Sequence, residues 1–310
     1  MDGVGLSVIL PFFAIMVAGY LVGKFRLLPN NASEVLSRFV FVIAMPALIF
    51  IAVSKVSTSD FFNGSFIAAL GGGMAFMFVL GLVVDRWVFK GDMTSHAFHG
   101  LALMFSSTAY IGLPLLLTLF GDEALAPGII GAVITGTLFA PITILIAELS
   151  QGNSYLKNPL LPFTTALTRP PMLATVAGLL VSTSGYALPD TIIRFCEVLG
   201  SAFVPCALLS AGLFISSCQL KSTSTEIGWM VFAKLIIHPA ITWYLAFHVF
   251  ELEGILPVVA VIQAALPCGI PVFVLAQQYN SFVVQSSSTI AWSTALSVLT
   301  ISALLILLEV

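Results

Sequence analysis

Residues 107–117 read STAYIGLPLLL, and residues 264–279 read AALPCGIPVFVLAQQY. Each is an apolar run interrupted by a Gly-x-Pro step, Gly112 to Pro114 in the first and Gly269 to Pro271 in the second, and the two prolines lie 157 positions apart. Proline inside a helix removes an amide donor and clashes with the carbonyl four residues back, while glycine loosens the backbone beside it. Both runs are therefore expected to form broken helices. Broken backbone at membrane depth is tolerated only where it lines a cavity or is buried in protein, so two such breaks imply a shared central site.

The same offset recurs elsewhere. Pro46, Ala47 and Leu48 answer to Pro205, Ala207 and Leu208 at an offset of 159 between the prolines, and Pro11 answers to Pro170 and Pro171. Landmarks repeating at nearly one spacing mark a duplicated unit, here 1–153 and 154–310. If each unit holds five membrane crossings, an odd number, the second copy enters from the opposite side. That is the inverted repeat of many secondary carriers.

Composition places the chain in lipid. Of 310 residues, 59% are hydrophobic and 8% charged, against about a quarter charged in soluble domains. A spanning helix needs roughly 20 apolar residues, and that ruler gives ten segments, near 6–23, 39–53, 66–84, 98–120, 128–148, 171–183, 195–216, 228–250, 255–279 and 287–308. The sixth is short and crowded at its start by Pro159, Pro162, Pro170 and Pro171. The runs are continuous where barrel strands would alternate, so the fold class is an all-α membrane protein: ten transmembrane helices as a 5+5 inverted repeat, the fourth and ninth broken and crossing. Asp2 is the only charge before the first run, so that run is expected to stay as a helix and not to be cleaved as a signal peptide. Cys196, Cys206, Cys218 and Cys268 show no metal-ligand spacing and read as small buried hydrophobes.

With the N-terminus outside, the inner loops collect Lys24, Arg26, Arg38, Arg86, Lys90, Lys157, Arg169, Lys221 and Lys234, leaving Lys55 and Arg194 outside. Asp60, Asp122, Glu123, Asp190, Glu251 and Glu253 fall on the outer loops. The basic bias puts both termini on the non-cytoplasmic face of a plasma membrane, in a bacterium the inner membrane.

A half-helix beginning after each break points free amides and a partial positive charge at the midplane, where an anion can bind. Ser106, Ser107, Thr108 and Tyr110 precede Gly112 and Pro114, while Gln263, Pro267 and Cys268 precede Gly269 and Pro271. These are the expected substrate-binding residues. The bland alternative is that the prolines merely kink helices for packing.

Lys234 and His238, four residues apart in the eighth segment, share a helix face. Lys234 could face the interior or extend its stem to cytoplasmic water, and His238 could respond to protons or be a hydrogen-bonded structural histidine. His96, His99 and His248 lie toward segment ends and are expected at the interface. No acidic pair is expected at helix centres, so sodium or a proton stays open as the coupling ion. No cofactor, metal ligand set or nucleic-acid partner is expected; a homodimer stays open.

The runs 107–117 and 264–279, with Pro46, Ala47 and Leu48 and with Lys234 followed by Pro239, resemble the auxin efflux carrier family over essentially the whole chain. The resemblance implies ten helices whose fourth and ninth cross at their breaks, as in the bile-acid sodium symporter fold. It also implies a small organic anion as substrate: malonate or malate for bacterial members, the auxin indole-acetate for plant members. One position departs, since relatives often carry Asn where Ser107 stands. An enzyme is disfavoured by the lack of a zinc helix, a nucleotide loop or an intramembrane aspartate pair. A channel would more naturally repeat its lining about the membrane normal. An ion-coupled symporter of another amphipathic anion and a transporter-like sensor remain as alternatives.

Single cysteines placed at Lys24, Lys90, Lys157 and Lys221 are expected to react with a thiol reagent from the cytoplasmic side only. Labelling by an impermeant reagent outside intact cells would reverse the assigned orientation.

Overall fold

The computed structural model describes residues 4–55, 61–150, 159–218 and 224–308, with side chains from residue 10 onward. Asp2, Asp60, Lys157 and Lys221 of the sequence reading lie outside these residues. Regular structure is helical throughout: α1 (Val4–Lys24), α2 (Ala32–Ser54), α3 (Gly64–Phe89), α4 (Met93–Met104), α5 (108–120), α6 (125–150), α7 (Leu161–Leu167), α8 (Pro170–Ser184), α9 (Asp190–Ser217), α10 (Thr225–Val249), α11 (Leu256–Ala265), α12 (Pro271–Gln278) and α13 (Val283–Leu307). Among the described residues no strand forms, and one isolated antiparallel bridge joins Ser106 to Cys268.

Six stretches are long and apolar enough to cross a bilayer: Ala32–Ser54, Gly64–Phe89, Thr108–Ser150, Asp190–Ser217, Thr225–Val249 and Val283–Leu307. The first is α2, and Thr108–Ser150 holds α5 and α6, separated at Gly121, whose φ of +63° only glycine takes readily. Helix occupies every one of the ten apolar segments, with the fourth and ninth each in two pieces. The short α7 was not anticipated; Pro159 and Pro162, read only as obstacles, bracket its first turn, where proline's fixed φ suits a helix start.

Among the described residues six π-helical turns interrupt the helices, and four of them end two residues before a proline: Val40–Ala44 before Pro46, Thr108–Gly112 before Pro114, Thr135–Phe139 before Pro141 and Ala233–Ile237 before Pro239. The cause is local. The proline has no amide to serve the carbonyl four residues back, and the residue just before it donates instead to the carbonyl five back, as Met45 does to Val40, Ala140 to Thr135 and His238 to Ala233. The helix widens by one residue and continues.

The described chain forms two compact units built from interleaved segments. One takes Met1–Gly64, Ala109–Ile130 and Leu167–Ser217; the other takes Ser65–Thr108, Gly131–Ala166 and Cys218–Val310. In the first, α1 packs along the second half of α9, and α2 packs against α8 and the first half of α9. Close approach there depends on two glycines: a Cβ on Gly19 would meet the Leu209 carbonyl oxygen, and one on Gly212 would meet that of Met16. Small residues let helix backbones approach where lipid offers no hydrophobic drive between helices. In the second unit α4 packs on α6, and α10 packs on α11 and α13; Phe66, Leu70, Met74 and Met77 of α3 and Phe98 and Leu101 of α4 are fully buried.

Gly212→Leu should force α1 and α9 apart at a cost of about 1–3 kcal/mol, lowering the melting temperature of the purified protein. An unchanged melting temperature would show that this contact does not limit stability.

Candidate functional site

The second unit contains both chain breaks that face each other. α4 starts at Asp92, whose carboxylate caps the Ser95 amide at 2.7 Å, and it runs to Met104 before the chain extends. α11 ends at Ala265, and Leu266 begins an extended stretch that lasts until the next helix opens at Pro271. The two stretches bond to each other: the Ser107 amide donates to the Pro267 carbonyl at 2.8 Å, and the Gly269 amide donates to the Phe105 carbonyl at 3.1 Å. Backbone that would be unpaired in a membrane is thus paired across the gap. A Cβ on Gly269 would lie 2.6 Å from the Phe105 ring, so this approach requires glycine.

The break in the fourth apolar segment corrects the expected position. It lies at 105–107 and not at Gly112 and Pro114, because the π turn Thr108–Gly112 absorbs the missing amide of Pro114 without ending the helix. In the ninth segment the break lies where Gly269 and Pro271 put it, with Pro271 opening α12.

Lys234 is the charge at this junction. It is 0% exposed, so its stem does not reach water, and it ranks with Phe66 and Phe98 among the largest fully buried side chains. Its Nζ donates to Ser106 Oγ at 2.7 Å and to the Ala264 carbonyl at 3.1 Å, and it lies 2.8 Å from His238 Nδ1. An ammonium has three hydrogens and no acceptor, so three acceptors satisfy it completely. His238 Nδ1 then accepts, which leaves the proton on Nε2, a buried atom without a hydrogen-bond partner. No described carboxylate pairs with Lys234. The hydrogens of the amine are served, but its charge is not neutralised.

Ser106, Ser107, Thr108, Lys234, His238, Gln263, Pro267, Cys268 and Gly269 are all buried and belong to this one unit. Thr108 Oγ1 has no hydrogen-bond partner. Gly131, lacking a Cβ, leaves space for the Gln263 amide. Tyr110, Gly112 and Pro114 are also buried but belong to the other unit. Several amides around the breaks are in use: Ser107 and Gly269 bond across the gap, Val272 donates to Gly269 at 3.2 Å, and Cys268 donates to Ser293 Oγ at 3.1 Å. Ser293 escaped the sequence reading. Its signal was present in α13, where Ser286, Ser288, Thr289, Ser293, Thr294 and Ser297 form a buried polar series in an apolar helix.

A second polar cluster overturns two expectations. His96 and His99, placed at the interface from their position, are 6% and 0% exposed, and both turn toward Asp85 at 1%. Asp85 is a buried acid near the end of α3 that position alone did not reveal. His248 is exposed, as its position implied.

Comparison with known proteins agrees along the whole length. The family described as membrane transport protein matches residues 4–164 and 161–305. A protein of Rhizobium meliloti named "Putative malonate transporter" is 29% identical over 308 residues, covering 98% of this chain and 95% of its own. An uncharacterized transporter of Methanocaldococcus jannaschii is 26% identical, with 96% of each chain covered. The auxin efflux carrier component 8 of Arabidopsis thaliana is 22% identical, with 89% of each covered.

Ser293→Ala should strand the buried Cys268 amide and cost about 1–3 kcal/mol in thermal unfolding. Ser297→Ala, which removes a bond made only to Thr294 in its own helix, should cost less. Equal losses would mean that Ser293 does not support the break.

Proposed function

The chain belongs to the auxin efflux carrier family of membrane transport proteins, and from that premise we propose that it carries a small organic anion, a mono- or dicarboxylate, by alternating access. It is a multi-pass membrane transporter and not an enzyme. The observation that carries the substrate class is Lys234: a buried amine with all three hydrogens satisfied and no acid among the described residues to balance it. A carboxylate arriving beside Ser106 and Cys268 supplies the missing charge. Since the Ser107, Cys268 and Gly269 amides are bonded to protein, the attraction in this reading comes from the ammonium more than from those amides.

Malonate, malate and an auxin-like acid are the candidates, and the names of the Rhizobium and Arabidopsis relatives support this range. The departure at Ser107 bears on which acid fits, because a hydroxyl presents one donor where an amide presents two and an acceptor. We read the fold as ten crossings in two inverted halves, 1–153 and 154–310, with both termini on the non-cytoplasmic side of the plasma membrane. Interleaving supports that reading in part: 1–64 and 167–217 share one unit and 65–108 and 218–310 the other, as stretches related by the repeat would, while Ala109–Ile130 and its counterpart 266–287 fall in different units. The junction is closed to solvent, and cavities of about 470 and 270 Å³ lie elsewhere, so substrate entry requires a second conformation.

Proteoliposomes loaded with radiolabelled malonate, malate or indole-acetate test this directly. Saturable flux of one of these acids is expected. Lys234→Met should weaken its binding at least about 10-fold through loss of the opposite charge, while Lys234→Arg retains part of it. Unaltered flux in Lys234→Met removes the site assignment, linear unsaturable flux indicates a channel, and binding without flux indicates a sensor.

A further inference from the structure

Every ion pair among the described residues belongs to one cluster at the other end of α4 from the chain break. His99 Nδ1 lies 3.4 Å from Asp85 Oδ1 and 3.8 Å from Glu226 Oε1, and the three donor atoms all fall within 4.8 Å of one another. His99 Nδ1 meets both carboxylates at ion-pair distance without hydrogen-bond geometry, and Asp85 Oδ1 and both ring nitrogens of His99 are buried with no hydrogen bond. Leaving such atoms unmatched in the interior is costly unless something else binds them.

The spacing fits a metal ion. Donors at about 2.1 Å from a tetrahedral zinc stand roughly 3.4 Å apart, which is the His99–Asp85 separation; the His99–Glu226 separation is 3.8 Å and the set spans up to 4.8 Å, so the partly exposed Glu226 moves in to complete the site. The surroundings hold the ligands as a metal site requires. Asp85 Oδ2 bonds His96 Nδ1 at 2.7 Å, which fixes the carboxylate. The His99 ring is stacked on Phe89 at 5.7 Å and packed against Phe282 on another side, which fixes the imidazole. A Cβ on Gly91 would collide with Asp85 Oδ2, so the loop after α3 leaves the carboxylate its room. The Glu226 side chain is 18% exposed and provides the entry path.

We propose that Asp85, His99 and Glu226 form a binding site for a divalent transition-metal ion of the zinc class, with water completing the coordination. One imidazole and two carboxylates suit Zn²⁺ better than Mg²⁺, which keeps its water and prefers oxygen alone. The ion ties the end of α3 to α4 and to the first turn of α10. His99 stands seven residues before Ser106, the first five of them in α4, and Glu226 eight before Lys234, about 12 Å of helix. The metal therefore ties together the stretches of α4 and α10 that lead to the Lys234–Ser106 bond.

The test is calorimetric titration of tag-free, chelator-stripped full-length protein with Zn²⁺ alone, with X-ray absorption on the loaded sample. One Zn²⁺ per chain is expected, with nitrogen and oxygen ligands at about 2.0–2.1 Å. Glu226→Gln, at a partly exposed position, and His99→Gln should each weaken binding at least 10-fold, and the metal-free melting temperature of Glu226→Gln should stay that of the native protein. His96→Gln should weaken binding 10- to 100-fold by releasing Asp85. Absence of stoichiometric Zn²⁺, sulfur in the coordination shell, or native affinity in both Glu226→Gln and His99→Gln would overturn the site.

Discussion

Three hydrogen bonds from Lys234 Nζ, to Ser106, His238 and the Ala264 carbonyl, join α10 to the chain on both sides of the junction. A buried ammonium is among the most expensive groups to desolvate. The surrounding backbone is organised to meet that cost. α11 stops at Ala265, one residue beyond the carbonyl that Lys234 uses, and the extended stretch after α4 presents the Ser106 hydroxyl. The paired stretches 105–107 and 266–270 then satisfy each other with two backbone bonds. Removing the amine would leave a hydroxyl, an imidazole nitrogen and a carbonyl facing one another with too few donors, so the junction and the charge depend on each other.

Prolines in this protein act in two ways, and the difference is physical. Where the helix can widen, the residue before the proline reaches back five positions and the ladder continues, as before Pro46, Pro141 and Pro239. Where two prolines fall close together, as with Pro267 and Pro271, no widening serves both, and the chain leaves the helix altogether. That accounts for a true break in the ninth apolar segment and a swollen turn at Pro114 in the fourth.

This also explains what could be read in advance. The lipid environment, the helical class and the break at Pro271 follow from composition and from proline chemistry, which act locally. The break at 105–107 could not be read, because Phe105, Ser106 and Ser107 contain nothing that stops a helix; the pairing with Pro267 and Gly269 imposes it from elsewhere in the chain. Lys234 stood out as a charge in an apolar run, but only its partners showed that it turns inward. His96 and His99 were misplaced because distance from a segment end says nothing of a carboxylate at Asp85 on a different helix. Ser293 was overlooked because hydroxyls in membrane helices commonly bond their own backbone, and Ser293 does so with Ile290 while also accepting from Cys268.

The widened turn Ala233–Ile237 sets the angular phase of α10. A π turn holds one residue more than an α turn, and each residue in a helix advances the side chains by about 100°. The residues after it are therefore rotated by about that angle from where an unbroken helix would carry them. Pro239 enforces the offset, so the azimuth of the lysine relative to Thr242 and the residues beyond is fixed by a proline. In lineages where that proline is lost, the helix could shed one residue and re-register, and the two ends of α10 would then point to different neighbours without any change in the residues that do the pointing.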